Sequence, residues 1–142
     1  MLMIQEHHLE EIRNLAKGAH PLEFCGVMAG AAGANVPQRV IPMQNAARSE
    51  CFFQFEPAEQ LRVWRELDLQ NEVPMVIFHS HTGSEAVPSR TDIEYAAEPD
   101  AHYLIVSTLE GVTETARSFR IFNGRVVEEN LKIISSGKKH ES

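Results

Sequence analysis

The sequence has few of the features that mark secreted, membrane or nucleic-acid-binding proteins. It has only two cysteines in 142 residues, too few for a disulfide scaffold. No apolar run approaches the roughly 20 residues that span a bilayer, and no basic segment followed by an apolar run opens the chain. Its 20 acidic residues outnumber its 13 basic ones, and the net charge of −7 disfavours phosphate backbones as partners. We expect a cytoplasmic protein with no nucleic-acid or membrane partner.

Two common zinc-site patterns are missing as well. The sequence has no Cys-x-x-Cys, which zinc deaminases combine with His-x-Glu. It also has no His-Glu-x-x-His, the helical motif of many zinc proteases. A metal site in this chain therefore needs a different ligand spacing.

A compact set of metal-binding side chains does occur near the middle of the chain. Residues 73–78 are apolar and partly β-branched, which predicts a buried strand that leads into His79. Because side chains alternate along a strand, His79 and His81 face the same side and Ser80 turns away. Two imidazoles and the carboxylate of Asp92 would give a catalytic zinc its three protein ligands, with the fourth position left to water.

The link between the histidines and Asp92 is a turn followed by a helix. Residues 82–88 are rich in turn formers, and Ser89 stands where a helix N-cap would, ahead of a helix predicted over 90–97. Asp92 lies in the first turn of that helix and can reach back to the metal. Ser80 is expected to support the histidine ligands from behind, since metal-bound imidazoles give their other N–H to a nearby acceptor.

Amide hydrolysis also needs a carboxylate that accepts a proton from water and passes it to the leaving amine. Glu23 is the best candidate because it opens an apolar stretch, where burial raises its pKa toward neutrality. Glu85 lies between the ligands in sequence, but in a loop where solvent would surround it. Cys25 follows Glu23 by two residues and is interpreted as a buried small side chain that can approach the site.

Together these residues resemble the core motif of the JAMM zinc metalloproteases, also called the MPN-plus or Mov34-type family. The resemblance rests on His-Ser-His, seven residues, Ser, two residues and Asp, with 21–30 resembling the segment that carries the family's glutamate. It implies zinc at His79, His81 and Asp92. It also implies that Glu23 holds and deprotonates the reacting water and that Ser89 donates a hydrogen bond to the oxyanion, alongside its capping role.

A narrower resemblance covers residues 78–92 and 98–107, which look like a bacterial subgroup of the family. It implies, as the partner, a ubiquitin-like sulfur-carrier protein with a Gly-Gly tail. Two reactions follow from it: release of cysteine from a carrier-cysteine adduct, or removal of extra residues from the carrier's C-terminus. Thr82 stands where many family members have proline, which affects the stiffness of the loop more than its chemistry.

Other functions stay open. The chain could be a non-catalytic MPN-type scaffold, although the full set of Glu23, His79, His81, Ser89 and Asp92 argues against it. It could also be a general small-peptide hydrolase or a ubiquitin-like isopeptidase. The segment between Val106 and Ser118 is too short for the insertions that grip ubiquitin in eukaryotic relatives. The sequence carries no signal of an oligomeric state.

The periodicity of apolar residues and the turn signals predict a mixed fold. We expect one domain over 1–134 and a flexible tail over 135–142. Helices are predicted over 4–17, 57–69 and 90–97, and strands over 24–29, 38–43, 51–55, 73–78, 101–107, 116–122 and 126–134. The last two strands form a hairpin around Asn123-Gly124. The predicted class is α+β in three α-β-α layers with a central mixed, mostly antiparallel sheet, and the resemblance implies the same layering, which is similar to that of cytidine deaminases.

Overall fold

The computed structural model describes residues 1–135 of the chain. In that part it contains eight strands and three helices. Their bounds are β1 Leu2–Gln5, α1 Glu6–Ala19, β2 Cys25–Ala31, β3 Arg39–Met43, α2 Pro57–Leu69, β4 Glu72–His81, α3 Arg90–Tyr95, β5 His102–Ser107, β6 Ala116–Phe122, β7 Arg125–Glu129 and β8 Leu131–Ile134.

Six of these strands form the central sheet, in the order β3-β2-β4-β5-β6-β7. Only the β4–β5 pair is parallel, and the other four pairs are antiparallel. A parallel pair needs a crossover connection, and the chain between β4 and β5 supplies it with α3. The predicted mixed, mostly antiparallel sheet between helices is confirmed.

The sheet separates two hydrophobic cores. On one face α1 packs with β1 through Leu9 and Ile12 against Phe78 and Leu104. On the other face α2 packs through Val63 and Leu67 against the opposite side of the same strands. The three layers are therefore α1 with the β1–β8 pair, the central sheet, and α2 with α3.

The alternation of side chains along β4 decides which face carries the histidines. Val76 and Phe78 point into the core beneath α1, whereas Ile77 belongs to the core beneath α2. His79 and His81 follow Ile77 at steps of two, so they lie on the α2 and α3 face at the carboxyl end of a central strand. This is also the face on which α3 begins.

The start of the chain differs from the prediction. Ile4 was placed in the first helix, but Leu2–Gln5 is a strand and the helix begins at Glu6. Strand β1 pairs in parallel with β8, with Ile4 opposite Ile133. The predicted final strand over 126–134 is accordingly two strands, because β8 leaves the hairpin to pair with the first residues of the chain.

The predicted strand over 51–55 is wrong. Only Phe55 forms a bridge, with Asn45, and the rest of this segment is irregular. The third helix is also shorter than predicted and ends at Tyr95. The predicted tail, beyond Ser135, lies outside the described residues. Within residues 1–135 no helix has the length and apolar character needed to cross a bilayer.

Candidate metal centre

Strand β4 brings the two histidines together at its end. His79 is 2% exposed and His81 is 3% exposed. Their Nε2 atoms lie 3.1 Å apart. Strands β2 and β5 flank β4 on both sides, which fixes the backbone from which both rings project.

Helix α3 supplies the carboxylate through a capping box. The Ser89 Oγ accepts a hydrogen bond from the Asp92 N–H at 3.0 Å, and the Asp92 Oδ2 accepts one from the Ser89 N–H at 2.8 Å. The same Oδ2 lies 3.2 Å from His79 Nε2 and 3.0 Å from His81 Nε2. The cap that starts the helix therefore also turns Asp92 back toward β4, as the sequence predicted.

The three converging atoms are spaced a little more closely than the ligands of a tetrahedral metal site. Their mutual distances are 3.0, 3.1 and 3.2 Å, and ligands bound to zinc at 2.0 to 2.2 Å in a tetrahedron are separated by about 3.3 to 3.6 Å. His81 Nδ1 lies 2.9 Å from the Glu85 carbonyl oxygen, which can only accept, so Nδ1 carries a hydrogen. With Nδ1 protonated, Nε2 either carries a second proton that it donates to Asp92 or directs its lone pair toward that carboxylate oxygen. A cation between them fits this arrangement.

The electrostatics of the cluster favour a charged Asp92. Burial alone would raise the pKa of Asp92, but hydrogen bonds from His79 and His81 and from the Ser89 backbone hold it well below its ordinary value. Burial lowers the pKa of His79 and outweighs the opposing effect of Asp92. Burial also opposes protonation of His81, yet Asp92 and the Glu85 carbonyl raise its pKa overall. A carboxylate anion beside a neutral His79 suits a divalent cation.

Glu23 completes the cluster from the segment that leads into the neighbouring strand. It lies two residues before β2, is 5% exposed, and places a carboxylate oxygen within 4.8 Å of ring nitrogens of His79 and His81. Its Oε1 is buried and has no hydrogen-bond partner among the described residues. Burial raises its pKa from an ordinary 4.5 to about 7, with His81 opposing this rise and Asp92 adding to it. A carboxylate with a pKa near neutrality can both take and return a proton.

The structure separates Glu23 from the rival carboxylate. Glu85 is exposed, and it is its backbone carbonyl that faces His81. The expectation that solvent surrounds the Glu85 side chain is confirmed. Glu23 is therefore the carboxylate that the fold brings to the cluster in addition to Asp92.

Ser80, which was expected to support the ligands, and Cys25, which was expected to be a buried side chain near the site, both make other contacts. The buried Ser80 Oγ accepts from the Phe24 N–H at 2.8 Å, so it ties β4 to the residue after Glu23 rather than holding an imidazole. The Cys25 Sγ donates to the Met43 carbonyl at 3.6 Å. Burial, with Glu59 and Glu23 contributing, raises the pKa of Cys25 to about 12, so it is a buried thiol. Cys51, in contrast, is exposed.

Two neighbours of the cluster were missed from the sequence. The ring of Phe53 stacks on His79, with centroids 4.4 Å apart and planes at 23°. Asn45 hydrogen-bonds the backbone of Glu23 at 3.0 Å. Neither has a local sequence signal, because Phe53 lies in the irregular segment that was predicted as a strand and Asn45 contacts a residue 22 positions away. His102 lies elsewhere, with its Nδ1 2.6 Å from Glu129.

A cavity adjoins the cluster. Its volume is about 250 Å³, and its wall includes His79 and Asp92. The remainder of the wall is largely aromatic and aliphatic, with Phe53, Tyr95 and Ile105 among its residues. A substrate chain that reached the metal ligands would therefore pass an apolar surface.

The chain is similar to a known family and to several individual relatives. The family described as "Prokaryotic homologs of the JAB domain" matches residues 5–122. The chain is 50% identical over 119 residues to the CysO-cysteine peptidase of Mycobacterium tuberculosis, covering 84% of this chain and 82% of the relative. It is 34% identical over 100 residues to the desampylase of Haloferax volcanii, covering 70% and 72%.

The solved structures are similar in fold. One is described as "JAMM: A Metalloprotease-like Zinc Site in the Proteasome and Signalosome". It matches with a TM-score of 0.58 at 19% identity, over 94% of this chain and 98% of that one. The three-layer arrangement is therefore that of JAMM domains.

Proposed function

The chain belongs to the family of prokaryotic JAB-domain homologues and is a JAMM-type hydrolase, and on this basis we propose that it is a zinc peptidase acting on a ubiquitin-like sulfur-carrier protein. The bond cleaved is the amide that follows the carrier's Gly-Gly terminus. The product released from the carrier is cysteine.

One observation carries the chemical part of the proposal. The Nε2 atoms of His79 and His81 and the Oδ2 of Asp92 converge within 3.2 Å of one another, with the buried Glu23 beside them. A scaffold protein has no need for three mutually close ligand atoms and a carboxylate with a pKa near 7. The arrangement supports a hydrolase.

The substrate part of the proposal is supported by the relatives. The CysO-cysteine peptidase aligns over most of both chains at high identity. Removal of a longer extension from the carrier is the second candidate, and the similarity to a desampylase favours keeping it in the test. The β5–β6 connection, residues 108–115, leaves little chain for gripping a large folded partner. We therefore place recognition mainly in the carrier's tail.

The residues of the site have different roles in the proposed hydrolysis. His79, His81 and Asp92 would hold the zinc, which lowers the pKa of a bound water to about 7. Glu23 accepts a proton at its carboxylate and delivers it to the leaving amine, which its raised pKa permits.

Ser89 can serve the helix and the reaction together. Its Oγ accepts from the Asp92 N–H, which uses one lone pair of the hydroxyl oxygen. A serine hydroxyl has one hydrogen to donate and two lone pairs, so the O–H hydrogen is available to the developing oxyanion. Such a donor typically contributes about 3 kcal/mol to the stabilisation of a transition state.

The substrate is tested by intact mass. A sulfur-carrier protein that ends in Gly-Gly is prepared with one added cysteine or with a short peptide extension, and each form is incubated with the zinc-loaded protein beside an unrelated short peptide. Faster loss of the cysteine supports the proposal, and faster loss of the extension selects the second candidate. Cleavage of the free peptide at an equal rate indicates a general peptidase. Intact carriers with zinc bound would favour the scaffold.

A further inference from the structure

The side-chain amide of Asn45 uses its full hydrogen-bonding capacity on backbone groups. Its Nδ2 donates to the carbonyls of Glu23 and Phe52, each at 3.0 Å. Its Oδ1 accepts from the N–H of Ala47 at 3.0 Å and of Gln54 at 3.1 Å. A primary amide offers two donors and two lone pairs, so no capacity is left over. One side chain joins Glu23 to two parts of a neighbouring loop.

That loop, residues 45–55 and hereafter the Asn45 loop, holds the backbone of Glu23 on both sides. The Glu23 N–H donates to the Ser49 carbonyl at 2.8 Å. The Glu23 carbonyl accepts from Asn45, as above. No regular strand holds Glu23, because β2 begins only at Cys25. The loop therefore fixes the backbone position from which the Glu23 side chain extends.

The Asn45 loop is closed by a strained turn. Arg48 has φ of +48°, a left-handed conformation that is costly for a residue with a side chain. Its N–H donates to the Asn45 carbonyl at 3.1 Å. Such a conformation is kept where the surrounding hydrogen bonds hold the backbone in place. The Asn45 amide supplies such hydrogen bonds, to the N–H groups of Ala47 and Gln54.

The same amide is also connected to His79, the first of the proposed metal ligands, through Phe53. Phe53 lies between Phe52 and Gln54, both of which are bonded to Asn45. The Phe53 ring stacks on His79 at 4.4 Å. The base and one ligand are thus placed by the same loop, whose shape depends on Asn45.

We propose that Asn45 is a positioning residue that sets the location of the Glu23 carboxylate relative to the metal ligands. The proposal rests on the proposed function. Asn45 does not touch the reacting atoms itself and acts through the Glu23 carbonyl. A displacement of about 1 Å in a catalytic group can lower the rate by about 100-fold. Loss of the hydrogen bond from Asn45 to the Glu23 carbonyl should therefore lower the rate by more than the free energy of that one bond would suggest.

The test separates the donated bonds from the accepted ones. Asn45→Asp keeps oxygens for the Ala47 and Gln54 N–H groups and loses both donations, including the one to Glu23. We expect kcat on the carrier-cysteine adduct to fall by about 10- to 100-fold. KM and zinc affinity should stay within about threefold of the parent, because the retained bond from the Gln54 N–H keeps Phe53 against His79. Asn71→Asp, the same change at an exposed asparagine between α2 and β4, is the control and leaves kcat unchanged.

A double variant distinguishes positioning from general damage. If Asn45 acts through Glu23, then adding Asn45→Asp to Glu23→Gln leaves the residual rate of Glu23→Gln unchanged. If the two losses multiply instead, Asn45 acts by another route and the proposal is wrong. Unchanged kcat in a folded Asn45→Asp, or a loss confined to KM or zinc affinity, also overturns it.

A second variant covers the case in which Asn45→Asp does not fold. Asn45→Ser introduces no charge and removes the donation to Glu23, and the same three measurements apply. If neither variant folds, Asn45 is a structural residue and the proposal fails. If the parent itself cleaves no carrier adduct, both the proposed function and this inference fail. If the parent cleaves the adduct and only the results for the Asn45 variants differ from those expected, this inference alone fails.

Discussion

His81 Nε2 lies 3.0 Å from Asp92 Oδ2, while the other nitrogen of the same ring donates to the Glu85 carbonyl at 2.9 Å. The second bond places a hydrogen on Nδ1, so a neutral His81 would present the lone pair of Nε2 to the Asp92 carboxylate. Such a contact is repulsive unless a proton or a metal ion lies between the two atoms. The point where β4 meets α3 is therefore built to hold either a proton or a metal ion.

Loss of the carboxylate should weaken the metal site. Asp92→Asn keeps the size of the side chain but removes its charge, and we expect the zinc affinity to fall by at least about 100-fold. Equilibrium dialysis with zinc measures this directly. Asp100→Asn, at an exposed position, is the control and should bind zinc like the parent. Equal affinity in both variants would show that the metal lies elsewhere.

The metal-free protein should become less stable as the pH rises through the pKa of Glu23. In the folded state that pKa is raised from 4.5 to about 7, so the protonated form is favoured by folding. Its contribution to stability is full below about pH 4.5 and is lost as the pH passes about 7.

Glu23→Gln removes this dependence. Urea denaturation with a chelator present gives the free energy of unfolding of the variant and of the parent. The value for the variant minus that for the parent should rise by up to about 3 kcal/mol from pH 5 to pH 8.5. An equal difference at both pH values would mean that the pKa of Glu23 is not raised.

Substitution can separate the capping role of Ser89 from its proposed role at the oxyanion. Ser89→Ala loses the hydrogen bond that caps α3, which should cost about 1 kcal/mol of unfolding free energy. It should also lower kcat by about 100-fold if the hydroxyl donates to the oxyanion. Ser89→Thr keeps the hydroxyl and should recover most of both losses. A stability loss with unchanged kcat would leave Ser89 as a cap alone.

A close strand contact makes Gly26 sensitive. A Cβ at this position would lie 2.4 Å from the Phe78 ring and 2.6 Å from the Ile41 carbonyl, so the β2–β3 pairing would have to shift. We expect Gly26→Ala to destabilise the fold by about 1 to 3 kcal/mol in urea denaturation. Gly83→Ala, where nothing lies within 4 Å, should have little effect.

The convergence of the candidate ligands could be predicted from the sequence because its geometry is local. The two-residue period of a strand puts His79 and His81 on one side, and the Ser89 cap turns Asp92 back toward them. The Asn-Gly hairpin was also predicted by its turn residues, and both Asn123 and Gly124 have positive φ. In each case neighbours in sequence are neighbours in space.

The parts that were missed depend on distant pairings. Strand β1 forms because β8 lies beside it, and nothing near Leu2 signals residues some 130 positions away. The aromatic segment around Phe53 looks like a strand, yet the Asn45 amide takes the backbone groups of Phe52 and Gln54 that a ladder would need. Tertiary hydrogen bonds override strand propensity there.

The proposed proton acceptor, Glu23, can be tested directly. The measurement is the intact mass of a carrier-cysteine adduct after incubation with the parent or with Glu23→Gln, both loaded with zinc and with zinc content measured in parallel. We expect the parent to remove cysteine, and Glu23→Gln to bind zinc at the same stoichiometry but to cleave the adduct at least about 100-fold more slowly. Cleavage at the parent rate by zinc-bound Glu23→Gln would contradict it.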